Sequence, residues 1–183
     1  MVVVCLQLNL GVRRNTHSLF LMLKDFLSRW GYRPPPTPKL EPGAVWQLRP
    51  ECDWPSFLRA LRLLELQSGT VAFEGTTEKR IARWLSQHAS SDGLRISAGT
   101  MWPASDWWYL PIEGPRIAEL AALLESAASA SIHLYAYDDT GLVIEWYDAF
   151  DEPLWIARRI HERPLKRFLA AVGGSLEAVA PSA

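Results

Sequence analysis

The chain has 183 residues, 49% of them hydrophobic and 21% charged, with a formal net charge of -1. That composition fits one folded domain and excludes a disordered or collagenous chain, and with only Cys5 and Cys52 present and no C-x-x-C there is no disulfide framework. The near-zero charge hides a gradient: residues 1–90 hold twelve Lys/Arg against seven Asp/Glu, a net +5, and residues 91–183 hold seven against thirteen, a net -6. No Lys/Arg run forms a track for nucleic acid, so a nucleic-acid partner is not expected.

The apolar start, residues 1–10, lacks a basic leading segment and a cleavage site before Arg13 and Arg14, and reads as a strand. No apolar stretch reaches the ~20 residues that span a bilayer, so a cytoplasmic protein without membrane contact is expected. Asn15 or Thr16 caps a helix to about residue 30, with Leu19, Phe20, Leu23, Phe26, Leu27 and Trp30 on one face, and Gly31 and the Pro-rich segment end it. The domain plan is therefore 1–33 as an N-terminal strand and helix, 34–43 as a Pro-rich connector, 44–174 as the main α+β body and 175–183 as a flexible tail.

After a strand near Trp46, Asp53 reads as the N-cap of a second helix with Pro55 in its first turn, and residues 70–74 (TVAFE) as a strand. Thr76 or Thr77 caps a third helix that ends near His88 and buries Ile81, Trp84 and Leu85. Residues 89–106 read as loop with one short strand around residues 95–97. Residues 107–112 are an apolar aromatic run, and Pro115 opens a helix through Leu124. The strand-helix-strand pattern around residues 46–73 returns about 63 residues later, a pattern echo of a duplication without identity. A third C-terminal strand follows in LWIARRI, and a terminal helix begins at Pro164 and ends at Gly173. The fold class is α+β, a mixed or antiparallel sheet of about five to six strands against four to five helices.

The densest clue lies between Asp106 and Glu152, which hold ten carboxylates against one base, Arg116. Within it SIHLYAY, the turn DDTG and LVIEWY form a β-hairpin. A two-residue loop at Asp139 and Thr140 would set Leu134 against Glu145, mixing apolar and charged groups on one face. A G1 bulge at Gly141 instead pairs Ala136 with Leu142, Leu134 with Ile144 and Ile132 with Trp146. The opposite face then shows His133, Tyr135, Tyr137, Glu145 and Tyr147, with His133 beside Glu145.

Chemistry is sparse. His133 with Glu145 is the best acid/base pair, but no Gly-x-Ser-x-Gly or activated Cys accompanies it. Glu145, Asp148, Asp151 and Glu152 lack the glycine and terminal glutamate of an EF-hand and read as solvated loop acids, so no metal is expected. No glycine-rich phosphate loop is present, so no cofactor is expected. His17, His88 and His161 stand alone, and Trp102, Trp107 and Trp108 read as packing residues rather than a stacking platform. Arg158, Arg159, Arg163, Lys166 and Arg167 adjoin the acidic stretch and read as internal salt bridging or a solvated face, with an interface as the alternative.

The expected function is a non-enzymatic binding protein that turns an acidic, aromatic face to a basic protein partner, as an immunity or antitoxin-type inhibitor does. Its binding residues are Tyr135, Tyr137, Asp138, Asp139, Glu145, Tyr147, Asp148, Asp151 and Glu152. The rival class is a small hydrolase or metal-assisted enzyme using His133, Glu145 and Asp148, with Tyr135 or Tyr147 orienting the substrate. A structural subunit that forms a homodimer through exposed aromatics is the third.

Overall fold

Runs with β-branched or aromatic residues become six of the seven strands in the computed structural model, which describes residues 40, 43–91, 93, 106–124 and 129–179, all within the compact unit Pro36–Ala183. The strands are β1 (Val45–Leu48), β2 (Thr70–Glu74), β3 (Trp107–Pro111), β4 (His133–Asp138), β5 (Gly141–Trp146), β6 (Leu154–Ala157) and β7 (Leu176–Ala178). They form one antiparallel sheet in the order β3-β2-β4-β5-β6-β1-β7. The helices are α1 (Trp54–Ala60), continued by a 3-10 turn Leu61–Leu64, then α2 (Lys79–His88), α3 (Pro115–Leu124) and α4 (Glu162–Val172). The predicted N-terminal strand and helix and the short strand around residues 95–97 lie outside the described residues.

Local chemistry sets most boundaries. Asp53 Oδ1 accepts the Ser56 N–H at 2.9 Å and caps α1 as expected, and Gly173, at φ 72°, ends α4. Neither Thr76 nor Thr77 caps α2. Its cap is Glu78 without a side-chain bond, and the Thr76 hydroxyl accepts the Glu78 N–H at 3.2 Å in the turn before it. The sheet has seven strands rather than five or six because residues 176–178, expected in a flexible tail, pair with β1. The 63-residue echo does not extend to topology: β3 and β4 flank one strand, β2, whereas three strands, β4, β5 and β6, separate β1 from β2.

Register decides which side chains share a face. One row of paired positions runs Leu110, Val71, Ala136, Ile144, Ile156, Trp46, and the next runs Trp108, Phe73, Leu134, Trp146. These apolar rows pack with Trp54, Phe57 and Leu58 of α1, Ile81 and Leu85 of α2, Ile117 and Leu120 of α3, and Leu165 and Phe168 of α4 in one core. All four helices therefore cover one face of the sheet. At its centre Phe57, Trp146 and Phe168 are fully buried, with Phe57 and Trp146 centroids 4.7 Å apart.

The hairpin departs from the expected register. Asp138 pairs with Gly141 across the two-residue loop Asp139–Thr140, and an irregularity between Ala136 and Tyr137 then shifts the ladder, so that Ala136 faces Ile144 and Leu134 faces Trp146. Val143 is the extra residue. The bulge keeps the apolar rows intact while allowing the short loop, which only an unbroken ladder would exclude. It also puts Leu142 on the face opposite the helices, beside Tyr135.

Candidate functional site

The face opposite the helices carries a different chemistry. Its central row runs Tyr109, Ala72, Tyr135, Glu145, Trp155, Gln47, Glu177, and beside it Trp107, Glu74 and His133 align across β3, β2 and β4. Glu74, His133, Tyr135 and Glu145 are all buried. Burying carboxylates is costly unless donors replace water, and donors are supplied. The Tyr135 hydroxyl donates to Glu74 Oε2 at 3.2 Å, and the Leu40 N–H donates to Glu145 Oε2 at 3.0 Å. The Tyr147 ring stands edge-on to Tyr135, centroids 5.9 Å apart, and its hydroxyl bonds to Glu145. Burial, and then the Glu145 carboxylate, push the Tyr147 phenol well above its ordinary range, so it serves as a donor. Trp107 stacks on Tyr135, centroids 5.5 Å apart.

His133 closes this layer at one end of the sheet. Its Nδ1 accepts the Asp148 N–H at 3.0 Å, which fixes the neutral tautomer with the proton on Nε2. Burial holds its pKa below the ordinary histidine value and outweighs the opposing pull of Glu74 and Asp148. The Asp148 Oδ1, 3.6 Å from the same nitrogen, is therefore a neighbour rather than an ion-pair partner of a neutral ring.

The loop 148–152 is strained and tied down. Asp148 (φ 42°) and Phe150 (φ 74°) both occupy the left-handed region, at a cost of about 1–3 kcal/mol each. Phe150 is pinned among Trp146, Trp54 and Phe57, with centroids 4.6, 5.1 and 6.4 Å away. The Ala149 N–H donates to the Ile132 carbonyl, the Asp151 and Glu152 N–H groups donate to the Asp148 carbonyl, Trp146 Nε1 donates to the Glu152 carbonyl at 2.7 Å, and Arg49 Nη1 donates to the Asp151 carbonyl at 3.2 Å. The backbone is thereby held while the side chains of Asp148, Asp151 and Glu152 face solvent.

The expected binding face is thus only partly a surface. Tyr135 and Glu145 are buried, Tyr137 and Tyr147 are half-buried, and Asp139, Asp148, Asp151 and Glu152 are exposed. Nor do the carboxylates form one field. Asp138 and Asp139 sit at the turn, and the loop 148–152 lies beyond the other end of the six-residue β5, ~20 Å away at strand rise and past the Debye length of physiological salt. Asp138 is engaged internally: Arg159 grips it with two bonds of 2.9 Å, and Thr140 donates to it twice. Burial would raise its pKa, but these donors outweigh it and hold the carboxyl below the usual range.

Glu145 faces Tyr135 rather than His133, so the anticipated His133–Glu145 pair does not form. Among the described residues no group of three or more His, Cys, Asp or Glu is placed to hold a metal ion, and no helix is long and apolar enough to cross a membrane. Cys52 is half-buried, and burial, followed by the charge of Asp53, pushes its thiol up to about 11, far from a nucleophile's range. Glu74 is the residue missed at the sequence level. Its alternation with Phe73 showed that it left the core, but only its pairing with His133 places it under the phenols.

No family model matches this chain, and no curated protein or solved structure matches it at significant similarity.

Proposed function

We propose that this chain is a non-enzymatic binding protein that presents the loop 148–152 to a basic protein partner, in the manner of an immunity or antitoxin-type inhibitor. The observation that carries this is the combination of two left-handed non-glycine residues, five restraining contacts of the loop and exposed carboxylates on Asp148, Asp151 and Glu152. Strained backbone persists where its surroundings enforce it, and a preorganised loop loses less entropy when it binds. Asp106 adds a further exposed carboxylate at the same end of the sheet. Its carbonyl accepts the Gly75 N–H, the Gly75 carbonyl accepts the Ile132 N–H, and the Ile132 carbonyl accepts the Ala149 N–H, a row about three strand spacings, or ~14 Å, wide. Half-buried Trp107 and Tyr147 are the aromatic anchors available there.

Glu145 and Tyr135 leave the contact set and become its support. The enzyme alternative has less to stand on: His133 and Asp148 meet, but Glu145 is committed to Leu40 and Tyr147. The test is retention of partner from extracts of the native cell on the immobilised chain. Wild type should retain a basic protein that elutes as salt rises, and the triple variant Asp148→Ala, Asp151→Ala, Glu152→Ala should hold it about ten- to a hundredfold more weakly. Equal retention by the two would end this proposal.

A further inference from the structure

Resting on the role just proposed for the loop 148–152, we propose that His133 is a proton-operated latch: the neutral ring holds the loop through the Asp148 N–H, and the protonated ring exchanges that bond for the Asp148 carboxylate. Both candidate partners of Nδ1 come from one residue, the N–H at 3.0 Å and Oδ1 at 3.6 Å. A neutral ring with its proton on Nε2 can only accept at Nδ1, so it takes the N–H. A proton added at Nδ1 turns that atom into a donor facing another donor, and the nearest acceptor is the carboxylate oxygen, which needs to move less than an ångström to reach charge-assisted bonding distance.

Release has a direction to follow. Asp148 is held at φ 42°, a left-handed conformation that costs free energy, and loss of its N–H bond removes one of the contacts that enforce it. Drawing its carboxylate inward also removes one exposed charge from the loop, where the side chain is 59% exposed in the latched form. Acidification therefore alters both the shape and the charge of the contact surface.

The groups facing His133 set where this happens. Glu74 lies across the ladder on β2, Asp148 comes from the loop, and the Tyr147 ring stands edge-on with its centroid 5.3 Å away and its hydroxyl bound towards Glu145. On β4 itself the neighbour on the same face is Tyr135, and the His133 carbonyl is capped by the Ser131 hydroxyl. Glu74 and Asp148 favour the proton and burial opposes it more strongly, so the latch is closed at neutral pH and opens only in acid.

The experiment is nitrogen NMR of the uniformly labelled full chain, titrated from about pH 8 to about pH 5. A coupling across the hydrogen bond between the Asp148 amide nitrogen and His133 Nδ1 should be present at the start and vanish with the midpoint of the imidazole. Exchange of the Asp148 amide, corrected for pH, should quicken at least about tenfold over the same step. Absence of the coupling at neutral pH, or its persistence after the ring has titrated, would overturn the latch. Asp148→Asn keeps the N–H and removes the receiving carboxylate, so the His133 midpoint should fall; an unchanged or raised midpoint would count against it. A latch that opens while partner retention stays constant with pH would leave this inference standing and remove the binding role of the loop.

Discussion

The two faces of the sheet solve burial in opposite ways. Towards the helices, rows such as Leu110, Val71, Ala136, Ile144 and Ile156 need only fit one another. On the other side Glu74, His133, Tyr135 and Glu145 are equally buried, but each polar atom there needs a partner in a particular direction. Shape errors on the first face cost packing, whereas a lost donor on the second strands a charge. The loop 148–152 belongs to both faces: Phe150 anchors it in the aromatic core and His133 ties it to the polar layer.

The largest effect is expected from Trp146→Ala, which empties the middle of the helical face. It should cost about 3–5 kcal/mol in urea unfolding and, because Trp146 also contacts Phe150 and donates to the Glu152 carbonyl, should speed amide exchange in the loop. Tyr135→Phe probes the polar face with almost no change of shape. Removing the hydroxyl that Glu74 accepts should cost about 1–3 kcal/mol, and a cost near zero would mean that this bond adds no net stability to the layer.

Acid separates the faces without mutation. The folded pKa of His133 lies below its ordinary 6.5, so the unfolded chain binds that proton more readily. Its contribution is complete above 6.5 and is lost as pH falls below it. Asp138 is depressed from 3.8, so its contribution holds above that value and fades only as pH drops further, through its folded pKa. Urea midpoints followed against pH should therefore show two separate declines. Asp138→Ala, which removes a side chain only 9% exposed from its Arg159 and Thr140 donors, should remove the lower decline and cost about 1–2 kcal/mol.

How much of this was written in the sequence depended on distance along the chain. β2 was readable to the residue, and the Asp53 cap, α3 from Pro115 and the end of α4 at Gly173 were fixed by neighbours within a turn. The apolar flank of β4 was readable from alternation. The hairpin register was not, because Asp138 is gripped by Arg159, 21 residues away, and a bulge at Val143 repairs the ladder behind the short loop. The polar layer was half visible. Tyr135, Glu145 and Tyr147 were correctly set on one flank, but whether that flank met solvent depended on strand order, which also brought in Glu74 from 61 residues away. The two clusters of acids looked like one because a sequence does not display the length of the strand between them.

The central claim is that carboxylates on the polar face serve the fold while those on the loop 148–152 serve a partner. It is tested most directly by measuring urea stability and partner retention together for the Asp148→Ala, Asp151→Ala, Glu152→Ala variant. Stability within about 0.5 kcal/mol of wild type for each substitution, with retention lost, is the predicted result. A variant that unfolds, or one that stays folded and still retains the partner, would contradict it.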